Sequence, residues 1–205
     1  MSESETRLFL ILPASVPEEA ALSCLSAAAQ AGGGALAALL LRAGEAGHDE
    51  PRAERIVPAA QALGMAVLIE DDAALAARLG ADGVHVRGGA RAVKAARAAL
   101  PQGRIVGGEC AGGRDSAMGI GEAGADYLAL DQRLEAGGEK MLDWWAELFV
   151  VPVVAMHPVP PAAMAELARR RADFVCPPEE IWRGAEDAGR IVRACAQALR
   201  EDDAR

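Results

Sequence analysis

Short apolar runs alternate with longer amphipathic, alanine-rich stretches along the whole chain. The runs lie at 8–12, 35–41, 66–69, 84–86, 105–106, 127–130, 150–156 and 174–176. They are apolar on both faces, the pattern of strands buried between a core and a helical layer. The stretches between them predict helices at about 17–31, 51–63, 72–80, 90–100, 114–123, 139–148, 160–171 and 184–200. Start and stop signals agree with these bounds. Pro17 precedes Glu18 and Glu19, which suit a positive helix N-terminus, and Asp115 and Pro160 also fit starts. Gly64, Gly80 and Gly124 fit stops. Eight strands alternating with eight helices need a crossover at every step, which predicts a parallel sheet.

Three segments repeat one form: LGADGVHV (79–86), AGADYLAL (123–130) and RRADFVCP (171–178). Each is a helix end, an Ala-Asp turn and a strand, and Asp82, Asp126 and Asp173 stand about two βα units apart. QAGGGALAALL (30–40) is a weaker fourth copy. Alternate-strand similarity suits a closed barrel, whose interior layers are filled by alternate strands. The expected fold is therefore a single α/β domain over 1–205, a (β/α)₈ TIM barrel, with a doubly wound open sheet as the alternative. Loop 43–52 is expected to be exposed and the tail 201–205 to fray.

Composition narrows the choice of partners. Hydrophobic residues make up 52% and aromatics only 3%, so the core must be built from Ala, Val, Leu and Ile. The net charge of −9 argues against nucleic-acid binding but leaves room for a small phosphorylated ligand in a local pocket. Cys24, Cys110, Cys176 and Cys195 form no CxxC pair, which points to buried thiols in a reducing cytoplasm. The opening MSESETR lacks the basic region of a secretion signal, and no apolar stretch is long enough to span a membrane.

In a barrel, chemistry sits at the strand C-terminal ends. The polar residues there are Arg42, Glu70, Asp71, Asp72, His85, Arg87, Glu109, Cys110, Asp131, Gln132, Arg133, His157, Glu179 and Glu180. Glu70-Asp71-Asp72 is the densest group and could hold Mg²⁺; equally, Asp72 could cap the helix that follows. His85 faces the interior if Val84 and Val86 face the helices, as an acid/base, a ligand or a structural histidine. Gly137-Gly138-Glu139-Lys140 precedes a helix and carries a lysine, a candidate phosphate contact. The loops after strands seven and eight contain Pro158, Pro160, Pro161, Pro177 and Pro178. Proline has no N–H, so the phosphate cup these loops often form is weakened.

These residues resemble the thiamine phosphate synthase family, which includes the related TenI-type thiazole tautomerases. VLIEDDAALAARLGADGVHV, IVGGE, GADYLAL and VPVVAM are similar to its strands three to seven, over roughly 35–195. The resemblance implies a transferase of thiamine biosynthesis, with Mg²⁺, that joins hydroxymethylpyrimidine pyrophosphate to thiazole phosphate. It places Asp71 on the first magnesium ligand, Arg42 on the strand-two arginine, His85 on the strand-four histidine and Lys140 on the lysine that contacts pyrophosphate. The family's second magnesium Asp is Ala90 here, its strand-five Ser is Glu109, its loop after strand six is Asp131-Gln132-Arg133, and its Gly-Gly after strand seven is His157-Pro158.

The resulting expectations are His85, Glu109 and Lys140 as catalytic residues, Arg42, Asp131 and His157 as substrate-binding, and Asp71 with Glu70 and Asp72 as metal ligands. The ligand is a small molecule, a phosphorylated pyrimidine or thiazole, bound by a cytoplasmic protein that can self-associate. Two other readings stay open. One is a barrel without synthase activity that binds a ligand or regulates. The other is an isomerase using His85 and Glu109 as acid and base.

Overall fold

A computed structural model describes residues 5–203. Eight parallel strands close into a barrel: β1 Arg7–Leu12, β2 Leu36–Leu41, β3 Ala66–Glu70, β4 Gly83–Val86, β5 Ile105–Cys110, β6 Tyr127–Leu130, β7 Val153–Ala155 and β8 Phe174–Val175. Each pairs with its neighbours in sequence, and β1 closes on β8. The helices are α1 Glu18–Gly32, α2 Glu50–Ala62, α3 Ala73–Leu79, α4 Gly89–Ala99, α5 Arg114–Glu122, α6 Met141–Leu148, α7 Pro161–Arg169 and α8 Ala185–Asp203. The open-sheet alternative is thereby excluded. Among the described residues no helix is long and apolar enough to cross a membrane.

Alternation along the strands sorts side chains into two cores. Leu8, Leu10 and Leu12, Val67 and Ile69, Val84 and Val86 pack outward against the helices. Phe9, Ala38, Leu40, Leu68, Tyr127, Ala129, Val154, Met156 and Cys176 fill the interior. Small interior residues make room for large ones. A Cβ on Gly107 would fall inside the Tyr127 ring, and one on Gly83 would strike the Ile105 backbone. All four cysteines are free and buried.

The repeated aspartates work at the N-terminal rim. Asp82 Oδ2 accepts from Val67 N at 2.7 Å, Asp126 Oδ2 from Val106 N at 2.7 Å, and Asp173 Oδ2 from Val153 N at 2.8 Å. In each case the aspartate's own N–H donates back to the carbonyl of that same residue. Each carboxylate therefore satisfies a backbone donor at the start of the preceding strand. Conservation of form along the sequence is here a matter of rim stability. Asp173→Ala should cost about 1–3 kcal/mol and lower the melting temperature by roughly 2–12 °C. Calorimetry of this variant beside a change at the mostly exposed Asp115 measures it; equal melting in both would show that the rim bond adds nothing.

Three local features depart from the sequence reading. The segment 135–140 forms a two-stranded hairpin, Glu135–Ala136 against Glu139–Lys140, with Gly137 and Gly138 at φ 67° and 82° in its turn. Two consecutive left-handed residues are what such a tight turn requires, so this glycine pair turns a hairpin. The apolar run 150–156 yields only Val153–Ala155, and Val150 is 99% exposed. Finally, α8 runs through Asp203, and of the tail 201–205 expected to fray, residues 204–205 lie outside the described residues.

Candidate active site

The strand periodicity that fills the barrel carries six charged or titratable groups to its C-terminal rim. Arg42, Glu70, His85, Arg87, Glu109 and Asp131 continue the interior-facing positions of β2 to β6, with Arg42, Arg87 and Asp131 just beyond the ends of β2, β4 and β6. Glu70 pairs in register with His85, His85 with Gly107, and Glu109 with Ala129. Above them opens a cavity of about 410 Å³, whose lining includes Arg42, Glu109, Asp131, His157, Met156 and Glu179.

His85 is fully buried. Its Nδ1 lies 2.9 Å from the Tyr127 hydroxyl and its Nε2 3.3 Å from Glu109 Oε2. The hydrogen bond to His85 holds the Glu109 carboxyl below its ordinary range against the opposing effect of burial, with Arg42 and Arg87 adding to the lowering. An ionised Glu109 only accepts, so Nε2 carries the imidazole proton. When the ring is neutral, Nδ1 is the acceptor and the Tyr127 hydroxyl donates to it. Burial pushes the Tyr127 phenol well above its usual value, so that proton stays in place. Tyr127 fixes the tautomer, His85 steadies the carboxylate, and Glu109 presents it to the cavity. His85 itself does not line the cavity.

A second network lies beside the first. Glu70 is 2% exposed. Its Oε2 accepts from Ala43 N at 3.0 Å. Its Oε1 faces Arg42 Nε at 3.2 Å and Arg87 Nε at 3.5 Å. Neither N–H is aimed well enough for a hydrogen bond, so these are ion pairs held by charge. Arg87 turns to Asp71 instead, donating from its backbone N to Oδ1 at 2.9 Å and from Nε to Oδ2 at 2.7 Å. Asp71 sits at φ 52°, a left-handed conformation that Asp tolerates. Asp72 caps α3, accepting from Leu75 N at 2.8 Å.

The expected metal ligands Asp71, Glu70 and Asp72 thus have three different employments and do not converge. Among the described residues no three His, Cys, Asp or Glu side chains surround a point that could hold a metal ion. Both Asp71 oxygens are taken by Arg87, and two guanidinium groups already face Glu70. The residues present do not fit Mg²⁺. Lys140, expected to be catalytic, is ion-paired with Glu135 across the hairpin and does not line the cavity. Asp131 does line it, but is held in a fork by Arg133, whose Nε lies 2.9 Å from Oδ1; that bond keeps the Asp131 carboxyl below its usual range.

The loops after β7 and β8 offer few amide donors to a phosphate. His157 N donates to Gln132 Oε1 at 3.0 Å, while Gln132 Nε2 donates back to His157 O at 2.8 Å. Val159 N bonds Cys176 O, and Ile181 N bonds Pro178 O. The short 3₁₀ turn Glu179–Trp182 follows two prolines and opens on two glutamates. A negative N-terminus is the reverse of what a phosphate seeks.

Sequence reasoning named Arg87 and Gln132 as rim residues without giving them a role, and it passed over Tyr127. Period two along β6 places Tyr127 inside the barrel, and the glycine opposite it at 107 is the signal that could have found it.

Residues 8–181 match the family described as thiamine monophosphate synthase. The thiamine-phosphate synthase of Erythrobacter litoralis is 34% identical, with 98% of each chain covered. That of Rhodospirillum centenum is 32% identical, over 87% of this chain and 90% of its own. Among solved structures, the thiamine phosphate pyrophosphorylase of Pyrococcus furiosus superposes with a TM-score of 0.75 at 19% identity, covering 98% of both chains. Mycobacterium tuberculosis tryptophan synthase does so at 0.72 and 14% identity, over 97% of this chain and 94% of its own. At these identities the last two show the barrel and nothing finer.

Proposed function

The chain belongs to the thiamine monophosphate synthase family, and we propose that within it the site binds a neutral or cationic heterocycle of the pyrimidine or thiazole kind and moves a proton on it, without releasing pyrophosphate. The observation that carries this reading is the ionised Glu109 at the cavity wall, backed by His85 and Tyr127. A carboxylate there accepts from the amino group or protonated ring nitrogen of an aminopyrimidine, a charge-assisted bond. The same carboxylate is a base whose proton affinity His85 tunes through Nε2–H. As Glu109 takes a proton from the ligand its negative charge disappears, and the His85 bond that stabilised the anion weakens, which limits how long the proton stays.

Charge also selects against pyrophosphate. Glu109, Asp131 and Glu179 line the cavity with Arg42 and His157, and Arg42 is already shared between Glu70 and Glu109, 4.0 Å away. A polyanion would meet carboxylates in a part-desolvated site with few amide donors, where like charges are costly. Four buried thiols support a reducing cytoplasm as its place. Self-association would cover Leu148 and Val150, which stand exposed beside the stacked Trp145 and Phe149.

Calorimetric titration with 4-amino-5-hydroxymethyl-2-methylpyrimidine and with its pyrophosphate separates the cases. The uncharged pyrimidine should bind at least as tightly as the pyrophosphate, and Glu109→Gln should weaken it about 10-fold or more. The family's synthase reaction is the second reading, favoured by a likeness that runs the full length of the chain. Thiamine phosphate formed from both substrates with Mg²⁺ at about 1 s⁻¹ or faster would establish it and overturn ours.

A further inference from the structure

We propose that Arg87 is a built-in cation that takes the place of magnesium, so that this site works without a divalent metal. The two carboxylates nearest that position, Glu70 and Asp71, are neutralised from within the chain. Asp71 spends both oxygens on Arg87, one on its backbone N–H and one on its guanidinium. Glu70, its side chain 1% exposed, has one oxygen on Ala43 N and the other between Arg42 and Arg87. The position to which the family resemblance assigns a second metal ligand, at the start of α4, is Ala90, which has no ligand atom.

The arrangement is built rather than incidental. Arg87 follows β4 directly, and its backbone and side chain grip the same carboxylate, so its guanidinium is anchored at two points. The β3 end is tied down as well: Asp71 N donates to His85 O at 2.8 Å, and the His48 ring nitrogen Nε2 lies 2.7 Å from Glu70 O. A divalent ion entering here would have to displace a guanidinium from Asp71 and then sit beside two positive charges. Unlike a metal, Arg87 cannot leave when ligand or chelator arrives, and it loses no charge at any physiological pH.

The inference concerns the metal alone and does not rest on which organic ligand binds. Mn²⁺, followed by its paramagnetic resonance signal with no other ligand present, is the probe. The parent protein should leave Mn²⁺ free, and so should Arg87→Lys, which keeps a cation in place. Arg87→Ala uncovers Asp71 and Glu70 and should bind Mn²⁺ about tenfold more tightly than the parent; adding Asp71→Ala should abolish that gain. The proposal is overturned if the parent binds Mn²⁺ and Asp71→Ala removes the binding. It is also overturned if a folded Arg87→Ala binds no better than the parent. Should Arg87→Ala fail to fold, the parent and Asp71→Ala titrations still decide, since they require no change at Arg87.

Discussion

Gly107→Ala, a single added methyl group, should destabilise the protein by about 3 kcal/mol, the upper part of the range for overpacking a core. Gly107 lies in register with His85 on one side and Tyr127 on the other. A Cβ there would enter the Tyr127 ring. The ring has little room to retreat: Tyr127 is 5% exposed, and Phe9 packs on it edge-on at 5.8 Å between centroids. If the ring does move, its hydroxyl leaves His85 Nδ1, and a buried ring nitrogen loses its partner. On an ordinary urea slope the unfolding midpoint should fall by about 1–2 M. The same change in a Tyr127→Ala background should cost far less, because the obstructing ring is gone, and the cycle isolates the contact. An unchanged midpoint in Gly107→Ala would show that the interior is looser than its packing suggests.

Glu70→Ala should be damaging through charge. Removing one member of a buried ion pair leaves its partners uncompensated and costs about 3–5 kcal/mol. Here two guanidinium groups and the Ala43 amide lose their common acceptor at once. A drop in melting temperature of roughly 10 °C follows for a chain of this size. Arg42 and Arg87 are 38% and 50% exposed, so part of their charge can turn to water, and this sets the expectation at the lower end of the range. Glu70→Gln keeps the bond to Ala43 N while removing the charge, and should fall between the parent and Glu70→Ala. A melting temperature for Glu70→Ala within a degree or two of the parent would mean that solvent relieves both cations.

The barrel was legible because its strands are apolar on both faces and its helices carry their own stops and starts. Gly80 ends α3 in a left-handed conformation at φ 65°, and Pro160 caps α7, each where the sequence pattern puts it. The rim positions were legible too, since alternation along β4 and β5 sends His85 and Glu109 to the same side. Partner choice was not. Whether Asp71 meets a metal or Arg87 depends on how far β4 is staggered against β3, a quantity set by the closure of the whole barrel. The chain from Tyr127 through His85 to Glu109 joins three strands, and no local window contains it. The hairpin that carries Lys140 was not legible for a different reason: a glycine pair before a helix looks the same in sequence whether it cradles an anion or turns a hairpin.

The aspartates of the lower rim have a consequence for how the barrel comes together. They tie β3 to β4, β5 to β6 and β7 to β8, each by two bonds to one residue. The pair β1 and β2 has no such carboxylate, but Arg7 on β1 reaches the carbonyls of Leu36 on β2 and of Gly34 in the turn before it. The molecule is thus stitched in quarters, three sealed by an acceptor and one by a donor. The seams between quarters are tied by other side chains: Glu70 to Ala43 N between β2 and β3, His85 to Glu109 between β4 and β5, Gln132 to the His157 backbone between β6 and β7, and Thr6 Oγ1 to Ala172 O between β8 and β1. The ring closes where Arg7 N donates to Asp173 O at 3.0 Å, so the third aspartate serves both its own strand pair and the closing seam.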